Sequence, residues 1–505
     1  MFPPSAAPPL SGHTLAELPA ASLGGTIQLC VVHSRAPNLV HSLLSAKALA
    51  GAVSRCGAQV TLLDCTSGGP AEESDGIERV TLGSVYRLGT PYMPVRALCA
   101  HDWLKRRAFD AVVFLGGFGV GHYAVAAKRL GLAYDRTVLW ALLDRPHAWA
   151  LYQSEEFPEG RTDIERDYIE RRTAEGADAL VADPAIAAWC VAAGWQLPAT
   201  AFAHPEADLA GRILAATQAM DWKPVPIPME KPLVSVCMPT FNRAEMLAEA
   251  IASVERQTYQ AVELVLVDDG STDPAARALI DSLAERFAPR GWQLLKQKNS
   301  GPSAARMRAA AAARGSFLLF MDDDNVALCH EIETLVGAAQ YSGADIVTCI
   351  PGLHASSNKG AGGVTSLQTA DPAIPQIEVD WTPVGPCLPL SVYVSCCGDN
   401  NALFRRSVFE ELGGYRGAPS QVMEDVELLT RAMIAGAKIE VVPEVLFQYR
   451  KHQGSRSLAS GLFESHLHAL EPLLAMVPAA LRPILLAARD AWYERHRRAA
   501  DSDAD

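Results

Sequence analysis

The sequence predicts an α/β protein with two Rossmann-like domains and a helical C-terminal extension. Short apolar runs alternate with helical stretches in residues 26–221 and again from residue 232, as in sheets covered by helices on both faces. A proline-rich segment, 222–231, separates the two series. The chain has 505 residues, which is long for a single hydrophobic core, so we expect more than one domain.

The first domain, residues 26–221, is predicted from strands that are rich in apolar and β-branched residues and from helical stretches between them. The predicted strands cover residues 26–32, 59–64, 110–115 and 137–143, and the predicted helices cover about 39–54, 122–130 and 162–176. Gly116 to Gly119 lack both the Gly-x-Gly-x-x-Gly spacing and the P-loop lysine of phosphate loops, so we interpret them as a strand-to-helix turn.

The second domain, residues 232–456, repeats the alternation after the linker, whose prolines favour a stiff extended spacer. Its predicted strands cover 233–238, 263–268, 292–297, 316–321 and 438–442, and its predicted helices cover 244–257, 274–287, 303–314 and 423–435. The Gly/Pro/Ser-rich stretch 351–397 is predicted to be a functional loop. We expect tails at 1–25 and 499–505, the first of them disordered, and mostly helical structure at 457–498.

Three acids follow an apolar strand of the second domain, in the run 317–324, FLLFMDDD. Continued alternation along an extended strand would turn Asp322 and Asp324 to one side, roughly 7 Å apart, and Asp323 to the other. Carboxylates so close repel each other unless a cation neutralises them, and oxygen ligands suit Mg²⁺ or Mn²⁺ that also carries phosphates. The alternative is a solvated loop at a strand end.

Polar residues also follow the other strands of this domain, and ligands of open parallel sheets gather at that edge. Pro239, Thr240, Asn242 and Arg243 follow the first strand, Asp268 and Asp269 end the second, and the third leads to Arg306. Each of these segments alone is also typical of an ordinary turn or a helix cap. Their occurrence at four successive strand ends favours a binding site.

Eight segments between residues 232 and 455 resemble the family 2 glycosyltransferases, which are inverting enzymes. In order they are VSVCMPTFNR (234–243), LVDDGSTD (266–273), NSGPSAAR (299–306), FMDDD (320–324), GDNNALFR (398–405), ELGGY (411–415), ED (424–425) and YRKHQGS (449–455). The resemblance covers less than half of the chain. It implies a GT-A fold, in which a mixed sheet binds a nucleotide sugar.

The resemblance also implies roles for individual residues. The donor nucleotide would contact Pro239, Thr240, Asn242, Arg243, Asp268, Asp269, Arg306, Asp322 and Asp323. Asp324 and His452 would hold Mn²⁺ or Mg²⁺, and Asp425 would be the catalytic base. Glu424, Asp399 and Asn400 would line the acceptor side.

The reaction requires the same residue types on chemical grounds. A leaving nucleoside diphosphate gains negative charge that a divalent ion can stabilise, and the acceptor hydroxyl must lose a proton to a carboxylate. Asp425 begins a predicted helix, whose positive end favours the ionised form of that carboxylate. The alternative for Glu424 and Asp425 is simple complementation of the helix dipole, and the alternative for His452 is a packed or surface histidine.

We therefore predict a glycosyltransferase that builds a surface polysaccharide or another glycan, with a nucleotide sugar as donor and a glycan or lipid-linked glycan as acceptor. The alternatives are a non-catalytic sugar-nucleotide or glycan-binding scaffold and a nucleotidyltransferase. A net charge of −13 argues against nucleic acid as a partner. Eleven cysteines without a Cys-x-x-Cys pair, and no secretory pattern at the N-terminus, fit a cytoplasmic protein.

The two ends of the chain are less specific. The first domain, with WALLDRPH at 140–147, resembles the N-terminal lobe of GT-B glycosyltransferases of the family 4 type, which implies a relic that binds acceptor or partner. An independent Rossmann-like module is the alternative. The apolar and basic helical pattern at 473–498 predicts packing against the catalytic domain, and a peripheral contact with the inner face of the cytoplasmic membrane is the alternative.

Overall fold

The structure is a computed structural model that describes residues 26–34, 46–65, 77–86, 92–115, 119–199, 201–203, 208–220, 230–354, 365–367, 377–379, 381–417, 422–452 and 462–490. The chain divides into two compact units, one formed by 1–226 with 363–368 and the other by 227–362 with 369–505. The division falls in the predicted linker range, most of which lies outside the described residues, as do the predicted tails.

The first unit is a parallel α/β layer. Its strands β1 to β7 are Gln28–His33, Gln59–Asp64, Glu78–Thr81, Ala111–Leu115, Val138–Leu143, Ala179–Ala182 and Ala201–Ala203. Its helices α1 to α8 are Ala46–Arg55, Leu82–Val85, Met93–Leu104, His122–Arg129, His147–Gln153, Arg161–Gly176, Pro184–Ala192 and Leu209–Ala219. The strand order is β3-β2-β1-β4-β5-β6-β7, and every neighbouring pair is parallel. This doubly wound order confirms the Rossmann-like prediction.

The central strands of this sheet are buried on both faces, so their sequences are continuous apolar runs that are easy to recognise. Helix α3 was not predicted, because almost its whole surface is buried, including Arg96, His101 and Asp102. A helix without a polar face lacks the amphipathic period on which sequence patterns depend. The likeness of this unit to a GT-B lobe stays a prediction.

The second unit contains the larger sheet. The strands from residue 230 onward, β8 to β17, are Val234–Thr240, Val262–Asp268, Gln293–Lys296, Phe317–Phe320, Val326–Ala327, Ile346–Leu353, Thr365–Leu367, Ile377–Val379, Ala402–Arg405 and Ile439–Tyr449. Of these, β14 falls in the range 363–368, which groups with the first unit. The helices α9 to α16 are Ala244–Glu255, Pro274–Phe287, Pro302–Ala312, Glu331–Ser342, Leu388–Ser391, Arg406–Glu411, Glu424–Ile434 and Leu462–Met476.

This sheet is mixed, as the resemblance implied. Strands β10, β9, β8 and β11 are parallel neighbours, and β16 and β13 continue the sheet in antiparallel pairing. Strand β17 lies parallel to β13 and extends to Tyr449 rather than ending at residue 442. The first residues of the predicted loop 351–397 belong to β13, because this pairing continues past two irregularities to Leu353. The rest of that loop is only partly described.

The C-terminal segment packs on residues of the second unit, as predicted. Leu470 and Leu473 of α16 join a small apolar core with Val392. Residues 482–490 are also helical, and the buried Arg489 donates hydrogen bonds to the carbonyl oxygens of Val392 and Tyr393. Among the described residues, no helix combines the length and the hydrophobicity that a bilayer crossing needs.

Candidate active site

The acids after β11 lie in a turn and not on an extended strand. The strand ends at Phe320, and the Asp323 carboxylate accepts hydrogen bonds from Thr240 Oγ1 at 2.7 Å and from Arg243 Nη1 at 2.8 Å. Arg243 Nη1 also donates to Asp324 Oδ2 at 2.6 Å. The predicted alternation is therefore wrong, because the chain turns after the strand and Asp323 and Asp324 share one guanidinium group.

Arg306 joins the remaining acid of this turn to the start of α15. Its buried guanidinium donates to Asp322 Oδ1 at 2.5 Å and to Glu424 Oε1 at 2.7 Å, and it lies 5.3 Å from the Tyr415 ring centroid. A buried cation between two carboxylates fixes both of them, since removing it would leave two uncompensated charges. Helix α11 thereby ties the end of β11 to Glu424 and so brings Asp425 into the same site.

Asp425 lies in the first turn of α15, after Met423, whose left-handed backbone has φ 66°. Burial and the neighbouring Glu424 carboxylate raise the pKa of Asp425 to about 7, although backbone N–H groups at the helix start oppose this. The helix start favours the ionised form, as expected, but desolvation outweighs this contribution. A carboxylate with a pKa near 7 suits proton transfer at neutral pH.

Asp399 lies near both parts of the site. Burial raises its pKa to about 8, and the Asp425 and Asp322 carboxylates contribute to the rise. Its Oδ1 accepts the Asn401 N–H at 2.8 Å. The preceding Gly398 has φ 132°, and a Cβ there would lie 2.8 Å from Thr348 Cβ, so this position requires glycine.

Three residues near Asp399 and Asp425 were not predicted from the sequence. Asn401 donates a hydrogen bond to the fully buried Glu331, whose pKa is raised by burial to about 8. Sequence reasoning missed Glu331, because an acid at the start of a helix is an ordinary dipole partner. Tyr415 and Tyr449, which share electrostatic contact with Asp322 and Asp425, were missed although both stand in segments that carry the resemblance.

The loops after β8 and β9 are held together by Asn242. Its backbone has φ 56°, and its Oδ1 accepts hydrogen bonds from the N–H groups of Thr272 and Asp273 at 2.7 and 2.8 Å. Asp268 Oδ1 accepts the Ser271 N–H at 2.9 Å. These contacts give Asn242 and Asp268 a structural role at the strand ends, and nucleotide contact stays a prediction for both.

Asp269 organises the loop that leads to α11. Its carboxylate accepts from Gln297 Nε2 and the Ser300 N–H, both at 2.8 Å, and from the Gly301 N–H at 2.9 Å. In the part of the chain that the structure describes, no hydrogen bond or ion pair joins Asp268 or Asp269 to the acids at 322–324. Thr240 connects the two sets of residues, because its carbonyl oxygen accepts the Asp269 N–H at 2.9 Å and its Oγ1 donates to Asp323 at 2.7 Å.

Asp324 and His452 come together as the metal prediction requires. His452 Nε2 lies 3.2 Å from Asp324 Oδ2, the same oxygen that Arg243 contacts. One carboxylate and one imidazole form a donor set that fits Mn²⁺ or Mg²⁺ completed by phosphate oxygens. Within the described ranges, no three His, Cys, Asp or Glu side chains form a cluster that could hold an ion without such help.

Comparison with known proteins identifies similar proteins for part of the second unit. Residues 235–413 match the model of glycosyl transferase family 2, which confirms the predicted resemblance for that part of the chain. The chain is 25% identical over 234 residues to glycosyltransferase GlyG of Streptococcus pneumoniae, an alignment that covers 44% of this chain and 72% of GlyG. It is 30% identical over 115 residues to the GalNAc(5)-diNAcBac-PP-undecaprenol beta-1,3-glucosyltransferase of Campylobacter jejuni, covering 23% of this chain and 37% of that protein.

A solved structure is similar to about half of the chain. The crystal structure of TarS residues 1–349 from S. aureus in complex with UDP-GlcNAc aligns with a TM-score of 0.39 and 17% identity, covering 52% of this chain and 72% of that one. The alignments with GlyG and TarS thus leave about half of the present chain unmatched.

Proposed function

We propose that this chain, whose residues 235–413 match glycosyl transferase family 2, is an inverting, metal-dependent glycosyltransferase. It moves a sugar from a nucleoside diphosphate donor to a hydroxyl of a glycan or lipid-linked glycan. The observation that carries the proposal is the Arg306 bridge, which connects Asp322 at the end of β11 with Glu424, the neighbour of Asp425. One residue thereby couples the donor side to the residue that would act as base.

Asp425 acts as the general base in this proposal. The attacking hydroxyl must lose its proton as the bond to the anomeric carbon forms, and a carboxylate with a pKa near 7 accepts that proton at neutral pH. A single displacement from the face opposite the diphosphate inverts the anomeric configuration. Asp399, with a pKa raised by burial to about 8, stays largely protonated at neutral pH and can donate a hydrogen bond to the acceptor.

The leaving diphosphate lies on the side of the acid turn. Asp324 and His452 would hold a divalent ion there, which supplies Lewis-acid stabilisation of the leaving group when it is bound. Arg243, 2.6 Å from the Asp324 carboxylate, keeps this site neutralised when it holds no ion. Because Arg243 and a metal compete for the same oxygen, we expect Arg243 to turn from Asp324 to the donor phosphates upon binding.

The name of one relative supports the proposed acceptor class. The Campylobacter enzyme is named for an undecaprenol-linked acceptor, which supports a lipid-linked glycan here and a role in surface polysaccharide synthesis. Such a substrate fits a cytoplasmic protein that contacts the inner face of the membrane peripherally. Phe463 and Ile484, exposed by 77% and 64%, lie in the C-terminal helices and provide apolar side chains for that contact.

A donor screen tests the proposal. Purified protein is incubated with an acceptor extract, Mn²⁺ and either a nucleoside diphosphate sugar or, in parallel, a nucleoside triphosphate, with and without chelator. Released nucleoside diphosphate and pyrophosphate are measured. We expect release with one donor class, loss of release with chelator, and a product whose anomeric configuration by NMR is opposite to that of the donor. Donor binding without release would indicate the scaffold, release of pyrophosphate from a nucleoside triphosphate would indicate nucleotidyl transfer, and retained configuration would refute inversion.

A further inference from the structure

The first unit contains a buried arginine for which the described residues provide no counter-charge. Arg96 of α3 is only 8% exposed, and its Nε makes no hydrogen bond. Within the described residues, no carboxylate forms an ion pair with its guanidinium, and burial lowers its pKa. A buried cation without a counter-charge is strongly unfavourable, so its presence calls for a ligand of opposite charge.

Arg96 lies at the edge of the sheet where ligands of this fold gather. It is in electrostatic contact with Cys65, the residue after β2, whose thiol stays neutral because burial raises its pKa. The register of β1 with β2 sets His33 beside Asp64, so that Ser34 and Cys65 are the next residues at the carboxyl edge. The strand order reverses beside β1, which is the switch point where doubly wound sheets form a crevice.

Two more polar groups without partners lie along the same edge. Ser34 is 6% exposed and its Oγ makes no hydrogen bond. Arg145, which follows β5, is half-buried, and its Nε makes no hydrogen bond either. Asp64 shares the edge, but Arg79 neutralises it at 3.1 Å. Arg96, Ser34 and Arg145 thus each carry a buried polar atom without a hydrogen bond, and two of the three side chains are cationic.

We propose that this edge is a binding site for an oxyanion group, phosphate or carboxylate, of a small ligand, with Arg96 as the main contact and Ser34 and Arg145 beside it. A guanidinium group binds either oxyanion through two parallel hydrogen bonds. All three residues belong to the first unit, so this site does not depend on the function proposed for the second unit. It gives the first unit a ligand of its own.

The test compares Arg96→Met with Arg106→Met in the full-length protein. Arg106 is the matched control, because it lies just after the same helix but is paired with Asp102 at 2.9 Å. Thermal unfolding is followed in sodium phosphate, sodium acetate and sodium chloride at constant ionic strength. Hydrogen exchange of peptides from residues 60–65 and 92–104 reports where the anion binds.

In the wild type we expect a saturable rise in Tm and increased protection of these peptides with phosphate or acetate, and none with chloride. Whichever anion is effective identifies the ligand class. We expect Arg96→Met to lower the affinity for the effective anion at least about tenfold and to raise Tm in chloride. Arg106→Met should do neither. If Arg96→Met does not fold, Arg96→Lys, which keeps the charge but loses the planar fork, serves instead and binds more weakly.

An anion effect of equal size in the wild type and in the Arg96 variants would overturn the proposal, because it would arise elsewhere in the chain. A wild type that responds to neither anion would overturn it as well.

Discussion

The substitution Asp425→Asn should lower the catalytic rate and raise the stability of the protein. Asparagine has nearly the same shape but cannot accept the proton of the acceptor hydroxyl. We expect turnover to fall at least about a hundredfold, equivalent to about 2.7 kcal/mol of barrier. In the wild type, kcat/KM should rise with pH through an apparent pKa near 7, because only the ionised form of Asp425 acts as a base.

The same substitution should stabilise the protein at high pH. The pKa of Asp425 is raised from 3.8 to about 7 in the folded state, so ionisation of this group opposes folding. At about 1.4 kcal/mol per tenfold change in the acid dissociation constant, the displacement corresponds to at most roughly 4 kcal/mol. Because the folded pKa lies above the unfolded one, stability is present in full below pH 4 and is lost as pH rises to about 7.

Urea denaturation of wild type and Asp425→Asn at pH 5 and pH 8 measures this effect. The variant should be more stable than the wild type, by a larger margin at pH 8. Asp281→Asn is the control, because Asp281 is exposed and Lys296 lowers its pKa, so this substitution should give no such gain. Wild-type turnover in Asp425→Asn, or an equal stability difference at both pH values, would refute the reasoning.

Three further substitutions test other parts of the site. Asp324→Ala should lower turnover at least about a hundredfold and make the remaining activity insensitive to chelator; activity that still depends on Mn²⁺ as in the wild type would contradict the metal assignment. Arg306→Met should destabilise the protein by about 3–5 kcal/mol in urea denaturation, because Asp322 and Glu424 lose their shared partner. Arg308→Met, at an exposed position, is the control and should change stability by less than about 0.5 kcal/mol. Equal effects of the two substitutions would contradict the role of Arg306 between the two carboxylates. Gly398→Ala should destabilise the protein by more than about 1 kcal/mol, because residue 398 has a positive φ and a Cβ there would contact Thr348. Gly337→Ala, in open space on α12, is the control and should stabilise slightly. No change in thermal unfolding for Gly398→Ala would contradict the requirement for glycine at this position.

The sequence predicted those elements whose side chains repeat with a clear period. Helix α10 was predicted with its observed bounds, since Pro274 and the capping Asp273 mark its start. Helix α3 and the extension of β17 to Tyr449 were not predicted. The first is buried all round, and the second depends on pairing with β13, a partner more than 80 residues away in sequence.

The candidate site was predictable in its residue types but not in its pairings. The acids at 322–324 stand out in the sequence, whereas the choice of Arg243 for Asp323 and Asp324 and of Arg306 for Asp322 depends on how three strand ends meet. The raised pKa of Asp425 could not be predicted either, because desolvation depends on atoms that other elements contribute.

The contacts around Met423 determine which segments should be exchanged together in chimeras of this protein and its relatives. Arg489 Nη2 lies 3.8 Å from Met423 Sδ, and Ser465 Oγ accepts the Val422 N–H at 3.3 Å. The C-terminal helices therefore contact the residues that precede α15. A chimera that exchanges only residues 235–413 would combine the family 2-like segment of one protein with the C-terminal helices of another. Swaps of specificity should therefore carry the C-terminal helices along with the pocket.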